Sequence, residues 1–197
     1  MDLDIRAFPF IISLAAVING LGIVRLLSTV AELLRTRHTL QMRNYWVYNA
    51  QALFQFVVHI LLWWSMWGLH DATNFDFVRY AYLLLGPILL YLGTSVMTPD
   101  VERDIVDVRA AYWEMRTLYF SISALVWAWA AFMWPVFEGA VAPTLPVILA
   151  LLGIALVLRV SDSPKLHALL VPANLVVVFF YVLVYAMELG GVSAMLE

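Results

Sequence analysis

The chain has 197 residues, of which 64% are apolar and only 13% charged, with a mean hydropathy of +0.89 and a net charge of −3. Soluble domains carry roughly 25% charged residues, so the composition excludes a water-soluble globule, and the charge balance offers no basic surface for nucleic acid. The absence of cysteine excludes disulfides, thiolate metal sites, iron–sulfur clusters and cysteine nucleophiles.

The N-terminus, Met1-Asp2-Leu3-Asp4-Ile5-Arg6, is acidic where a secretory signal is basic. The apolar run from Phe8 to Ala31 is too long for a signal core, so it is expected to remain as a first helix. A helix needs about 20 mainly apolar residues to cross the hydrocarbon. Six stretches qualify: 8–34, 45–68, 76–97, 112–134, 143–160 and 166–188. They predict an all-α, polytopic transmembrane bundle of six helices, one domain over 1–197.

The breaks carry turn and charge signals. Arg35-Thr36-Arg37-His38 through Arg43 ends the first helix, and Gly68 through Asn74 separates the second from the third. After the third, Asp100, Glu102, Asp104 and Asp107 alternate with Arg103 and Arg109 at spacings that suit a helical turn. The fourth helix is therefore expected to begin near residue 101 and to protrude, as a solvated extension or as a docking surface. Pro135 through Pro146 precedes the fifth helix, and Ser161-Asp162-Ser163-Pro164 offers a cap for the sixth.

Arginine and lysine asymmetry sets the orientation of short loops. One set of ends holds eight basic residues, Arg35, Arg37, Arg43, Arg103, Arg109, Arg116, Arg159 and Lys165; the other holds two, Arg6 and Arg79. The alternation fits six spans, puts loops 1–2, 3–4 and 5–6 in the cytoplasm, and leaves both termini outside, in the periplasm of a bacterial inner membrane. Ten of the eleven basic residues are arginine, which hints at a GC-rich bacterial genome. Tyr45, Trp46, Trp63, Trp64, Trp67, Trp127, Trp129 and Trp134 fall at helix ends, the places of an interfacial aromatic belt. Gly20-Leu21-Gly22-Ile23 faintly echoes Leu152-Gly153-Ile154-Ala155, and Pro87 and Pro172 occupy comparable places, as two inverted three-helix halves would.

Polar groups at membrane depth are costly and usually face a protein interior or a wet cavity. In the first helix Gly22, Arg25, Thr29 and Glu32 share one face at 100° per residue. A central arginine costs about 2.5–3.5 kcal/mol on insertion scales, so Arg25 calls for a buried partner. In the second helix Gln51, Gln55 and His59 follow at i, i+4 spacing and form one polar stripe. The expected bond runs from Arg25 to Gln51 or Gln55, with Asn19 on a different face. Glu114 of the fourth helix lies near the boundary at the level of Glu32, where ion pairing with Arg35 or Arg116 is the plainer reading. Asn174, beside Pro172, is placed to satisfy a backbone carbonyl that the proline frees.

Two readings of the set Arg25, Glu32, Gln51, Gln55, His59 and Glu114 stay open: hydrogen-bonded glue between helices, or the lining of a water-filled path. His59 is either a packed histidine or an axial ligand for haem or a chlorin. No second axial histidine is evident, because His38, His70 and His167 sit at membrane edges. No serine-hydrolase elbow, H-E-x-x-H motif, nucleotide-binding glycine pattern or lysine within a span occurs.

His59-Ile60-Leu61-Leu62-Trp63-Trp64 with Trp67-Gly68-Leu69, Leu83 through Leu90 around Pro87, Tyr91 with Pro99-Asp100, Val108-Arg109-Ala110-Ala111-Tyr112 and Gly20-Leu21-Gly22-Ile23 resemble segments of a group of small bacterial polytopic membrane proteins of about this length. The resemblance covers the first four helices, implies one bacterial membrane fold and transfers no functional residue. The sequence supports an accessory or scaffold subunit bound to other membrane subunits and lipid. The alternatives are a small homo-oligomeric channel or transporter for protons, ions or a small solute, and a haem- or chlorin-binding subunit using His59.

Overall fold

Each of the six apolar stretches is a helix in the computed structural model, which describes residues 3–36, 41–43, 45–70, 76–98 and 105–187. The helices are α1 (Leu3–Thr36), α2 (Trp46–Met66), α3 (Phe77–Met97), α4 (Val108–Glu138), α5 (Leu145–Val160) and α6 (Pro164–Tyr181). A single 3₁₀ turn, Trp67–Leu69, follows α2, and a π-helical turn, Val182–Ala186, extends α6. Five helices are long and apolar enough to cross a membrane, the signature of a multi-pass membrane protein, while α5 is apolar but shorter. Its 16 residues span only about 24 Å at 1.5 Å each.

Local chemistry sets the boundaries. The side chain of Asp76 accepts from Arg79 N (2.8 Å), that of Asp107 from Ala110 N (2.9 Å) and that of Ser163 from Leu166 N (3.4 Å). Each satisfies a backbone N–H that the first helical turn leaves without a partner. Pro164 opens α6, where its missing N–H costs nothing. Helix α4 ends on Gly139 in the left-handed conformation, φ 66°.

Helix α4 differs from its expected course. It begins at Val108 on the Asp107 cap, not near residue 101, and continues to Glu138. The residues before it form a strand: β1 (Gln41–Arg43) pairs in parallel with β2 (Ile105–Asp107), with Met42 opposite Val106. Three residues per strand are too few for an alternating pattern to show in sequence, so nothing announced this ribbon. It brings the 1–2 and 3–4 connections together at one end of the molecule. The charged segment 100–104, and Arg37 and His38, lie outside the described residues.

Helix α1 packs on α3 and α2, α4 on α3 and α5, and α6 on α2 and α5, while α2 also reaches α3 and α4. Two apolar clusters fill the interior. One, toward the ribbon, includes Leu26, Tyr48, Met97, Tyr112, Phe120 and Leu158. The other includes Phe54, Val58, Leu90, Val126, Leu151 and Val178.

Exposure divides the aromatic residues of the expected belt. Trp46, Trp63, Trp64 and Trp67 are exposed, but Trp129 is buried. Its Nε1 donates to Tyr82 O (2.8 Å) and its carbonyl accepts from Tyr82 Oη (2.7 Å). Gly86 makes room for this indole, since a Cβ there would overlap the ring. An inward Trp with its N–H satisfied serves packing rather than anchoring.

A buried polar relay across four helices

The i, i+4 stripe of α2 faces inward: Gln51, Gln55 and His59 are all buried. What meets them comes from three other helices. Asn19 of α1 donates through Nδ2 to the carbonyl of His59 (3.0 Å), and its Oδ1 lies 2.7 Å from His59 Nδ1. His59 Nε2 lies 2.9 Å from Thr94 Oγ1 of α3. Gln55 Nε2 donates to Leu90 O (3.1 Å) and to Thr94 Oγ1 (3.2 Å). Tyr119 of α4 donates to Gln55 Oε1 (2.8 Å) and accepts from Gln51 Nε2 (2.7 Å).

Two backbone carbonyls fix every proton in this array. A carbonyl only accepts, so the Asn19 amide must turn its NH₂ to His59 O and its oxygen to the imidazole. His59 is then protonated at Nδ1, and Nε2 accepts from the Thr94 hydroxyl. Likewise Leu90 O fixes the Gln55 amide, so Oε1 takes the Tyr119 proton, and Tyr119 can only accept from Gln51. The donors therefore run one way, from Gln51 through Tyr119, Gln55, Thr94 and His59 to Asn19. Each link polarises the next. Gln51 Oε1 accepts no bond among the described residues.

Gly22 explains how α1 comes so close. A Cβ there would overlap His59 Cε1 and would sit 2.9 Å from Nε2. The imidazole is thus covered on its α1 side and bonded at both nitrogens. Ligation of a haem or chlorin through Nε2 would require the Thr94 hydroxyl to leave. Among the described residues no group of three or more His, Asp or Glu side chains is placed to hold a metal ion.

The other three candidates are not part of this relay. Arg25 is exposed on the outer side of α1 and makes no bond to Gln51 or Gln55; Gln55 Oε1 is taken by Tyr119, and Gln51 Oε1, though unpartnered, is buried away from it. The reason is angular. The inward seam of α1 is Ala15, Asn19, Leu26 and Thr29 with Gly22, and Arg25 lies about 80° from its centre at 100° per residue. Asn19, expected on another face, is in the seam. Glu32 pairs with Arg35 one turn on (2.7 Å), and Glu114 is exposed near the start of α4. Thr29 donates to Arg25 O (2.9 Å) and reaches Thr98 Oγ1 (3.4 Å), joining α1 to the end of α3.

A second buried histidine escaped the sequence reading. His167, expected at a membrane edge, stands in the first turn of α6 and is fully buried against neighbouring helices. Its Nε2 donates to Ser161 O (3.0 Å) and its Nδ1 therefore accepts from Tyr112 Oη (2.7 Å). Arg116 stacks on Trp113 (5.2 Å), donates to Ser161 O (2.6 Å) and pairs with Asp162. Together these groups fasten the α5–α6 link to α4. Asn174 is buried, and its Oδ1 has no partner among the described residues; no bond joins it to the carbonyl freed by Pro172. Just before α2, burial pushes the Tyr45 phenol above its usual range, opposed by Arg109, which lies over the ring at 5.8 Å.

At the end away from the ribbon, a cavity of about 140 Å³ lies among α2 to α6, walled by Leu62, Met66, Trp127, Trp134, Ile148 and Tyr181. Its surroundings are apolar except for Ser65, Thr144 and Tyr181. No protein-family model, curated protein or solved structure matches the chain.

Proposed function

We propose that the chain is an accessory subunit of a larger assembly in a bacterial inner membrane, its ribbon end in the cytoplasm and both termini outside. The observation that carries this reading is Arg25. It stands within the apolar span Pro9–Arg35, exposed beside Leu21, Val24 and Leu27, with no hydrogen bond or ion pair to its side chain among the described residues. An arginine placed so costs about 2.5–3.5 kcal/mol in lipid. Nothing among the described residues offsets that cost, and a partner would. The orientation rests on the eight-to-two division of basic residues.

The interior supports the same reading. The polar stripe that suggested a conduit is occupied with joining α1, α2, α3 and α4, and its donors end on backbone carbonyls. Such a relay fixes helix register and gives a rigid body whose outer faces remain for contact. Gentle extraction from the host membrane followed by a native size separation is the test. The chain should migrate with a second polypeptide in fixed ratio; migration as a bare chain or as a homo-oligomer would overturn the reading.

A further inference from the structure

Resting on that reading, we propose that the outer face of α1 around Arg25 and Ser28 docks a transmembrane helix of a different polypeptide, and that this helix carries an aspartate or glutamate facing Arg25.

Depth argues for a protein carboxylate over a lipid phosphate. The span Pro9–Arg35 has 27 residues and its middle falls at Gly22, so Arg25 sits about 4.5 Å from the centre at 1.5 Å per residue. With about 30 Å of hydrocarbon centred there, the nearer phosphate layer begins about 10 Å further along the helix. Helical side chains lean toward the N-terminus, which carries the guanidinium toward the middle, away from that surface. A phosphate is out of reach, whereas a carboxylate on a neighbouring helix is not.

Among the described residues a second copy of this chain does not supply the anion: Asp4 stands at the start of α1, Asp76 caps the start of α3 and Asp107 lies at the ribbon. Glu32 is committed to Arg35 through both carboxylate oxygens (2.9 and 2.7 Å). Glu114 lies seven residues into α4, which begins at Val108, and it leans back toward the ribbon end. Glu138 ends α4 and Asp162 pairs with Arg116 in the α5–α6 link. None of these reaches the level of Arg25.

The face has a second unspent polar group. Ser28, one turn from Arg25, is exposed, and its hydroxyl has no bond among the described residues. Around the two lie Leu14, Val17, Leu21, Val24 and Leu27, all exposed. A helix laid here covers an apolar strip, and its carboxylate takes charge-assisted bonds from Arg25 and a further one from Ser28. Away from water such a pair is strong and fixes both depth and rotation of the partner.

The test places a benzophenone amino acid at Val24 of the full chain in its host membrane, with Val157 on the outer side of α5 as the control site. Illumination should join Val24 to a different polypeptide, in an apolar segment holding Asp or Glu within one turn of the adduct. Arg25→Glu should then abolish co-extraction of that polypeptide. Exchanging the partner's carboxylate for arginine should restore it in the Arg25→Glu background and abolish it against the wild type. Arg25→Gln, which adds no charge, should lose most of the complex while unfolding as the wild type does. Adducts only with lipid, with a second copy, or with a segment lacking a carboxylate would overturn the proposal. If a complex exists but crosslinks only at Val157, this proposal fails and the subunit reading stands; if no second polypeptide co-extracts, both fail.

Discussion

Replacing Gly22 by alanine tests the contact on which the relay depends, and Gly20→Ala two residues away supplies the control. Both glycines lie inside α1, so both substitutions gain the same intrinsic helix preference, about 1 kcal/mol. They differ in what the new methyl meets. Around a Cβ at Gly20 nothing lies within 4 Å, whereas at Gly22 it overlaps His59 Cε1 and stands 3.2 Å from Nδ1. The ring cannot swing aside freely, because it is buried and held by Asn19 at 2.7 Å and Thr94 at 2.9 Å. Either those two bonds break, at about 0.6 kcal/mol each and up to about 1.7, or α1 backs away, an overpacking cost of about 1–3 kcal/mol. Gly20→Ala should therefore be neutral or stabilising, and Gly22→Ala should lose up to about 2 kcal/mol after the helix gain. Reversible unfolding in mixed micelles, followed by circular dichroism, reads the difference, expected at about 1–3 kcal/mol. Equal stabilities for the two variants would refute the close approach of α1 to His59.

Three further changes probe separate parts of the fold. Thr94→Val keeps the shape but leaves His59 Nε2 without a donor, while Gln55 Nε2 retains Leu90 O. The same unfolding experiment should show a loss of about 1–2 kcal/mol, against none if His59 were the opposite tautomer with another partner. Trp129→Phe removes the indole bond to Tyr82 O and part of a buried ring; it should cost at least about 1 kcal/mol, whereas exposed Trp63→Phe should stay within about 0.5 kcal/mol. Asp107→Ala deletes the cap on Ala110 N, worth about 1 kcal/mol, and should speed amide exchange in the first turn of α4 while leaving α6 unchanged.

The helices were legible because about 20 consecutive apolar residues have few other uses, and because a capping group such as Ser163 acts on its immediate neighbours; the Asp107 cap was hidden among the alternating charges before it. The stripe Gln51, Gln55, His59 was legible for a related reason: i, i+4 spacing places residues on one side of a helix whatever surrounds it. Their partners were not. The inward side of α1 was centred on Arg25, the costliest residue, on the premise that cost implies burial. The fold keeps Gly22 and Thr29 of that face inward but sets Ala15 and Asn19 beside them and Arg25 outside, because close packing on His59 needs small side chains there. The burial of His167 was not legible either. Distance from a helix end does not give burial when Tyr112, Trp113 and Phe120 of a neighbouring helix close over the ring. The ribbon of β1 and β2 lay beyond any local signal, since its pairing joins residues more than sixty positions apart.

The central claim is that Arg25 is held by something outside the chain. Native mass spectrometry of wild type, Arg25→Lys and Arg25→Leu, gently extracted in parallel from host membrane, tests it most directly. The wild type should carry the added mass of a second polypeptide, Arg25→Lys should retain part of it, and Arg25→Leu should emerge alone with unchanged thermal unfolding. Identical masses for wild type and Arg25→Leu would contradict the claim.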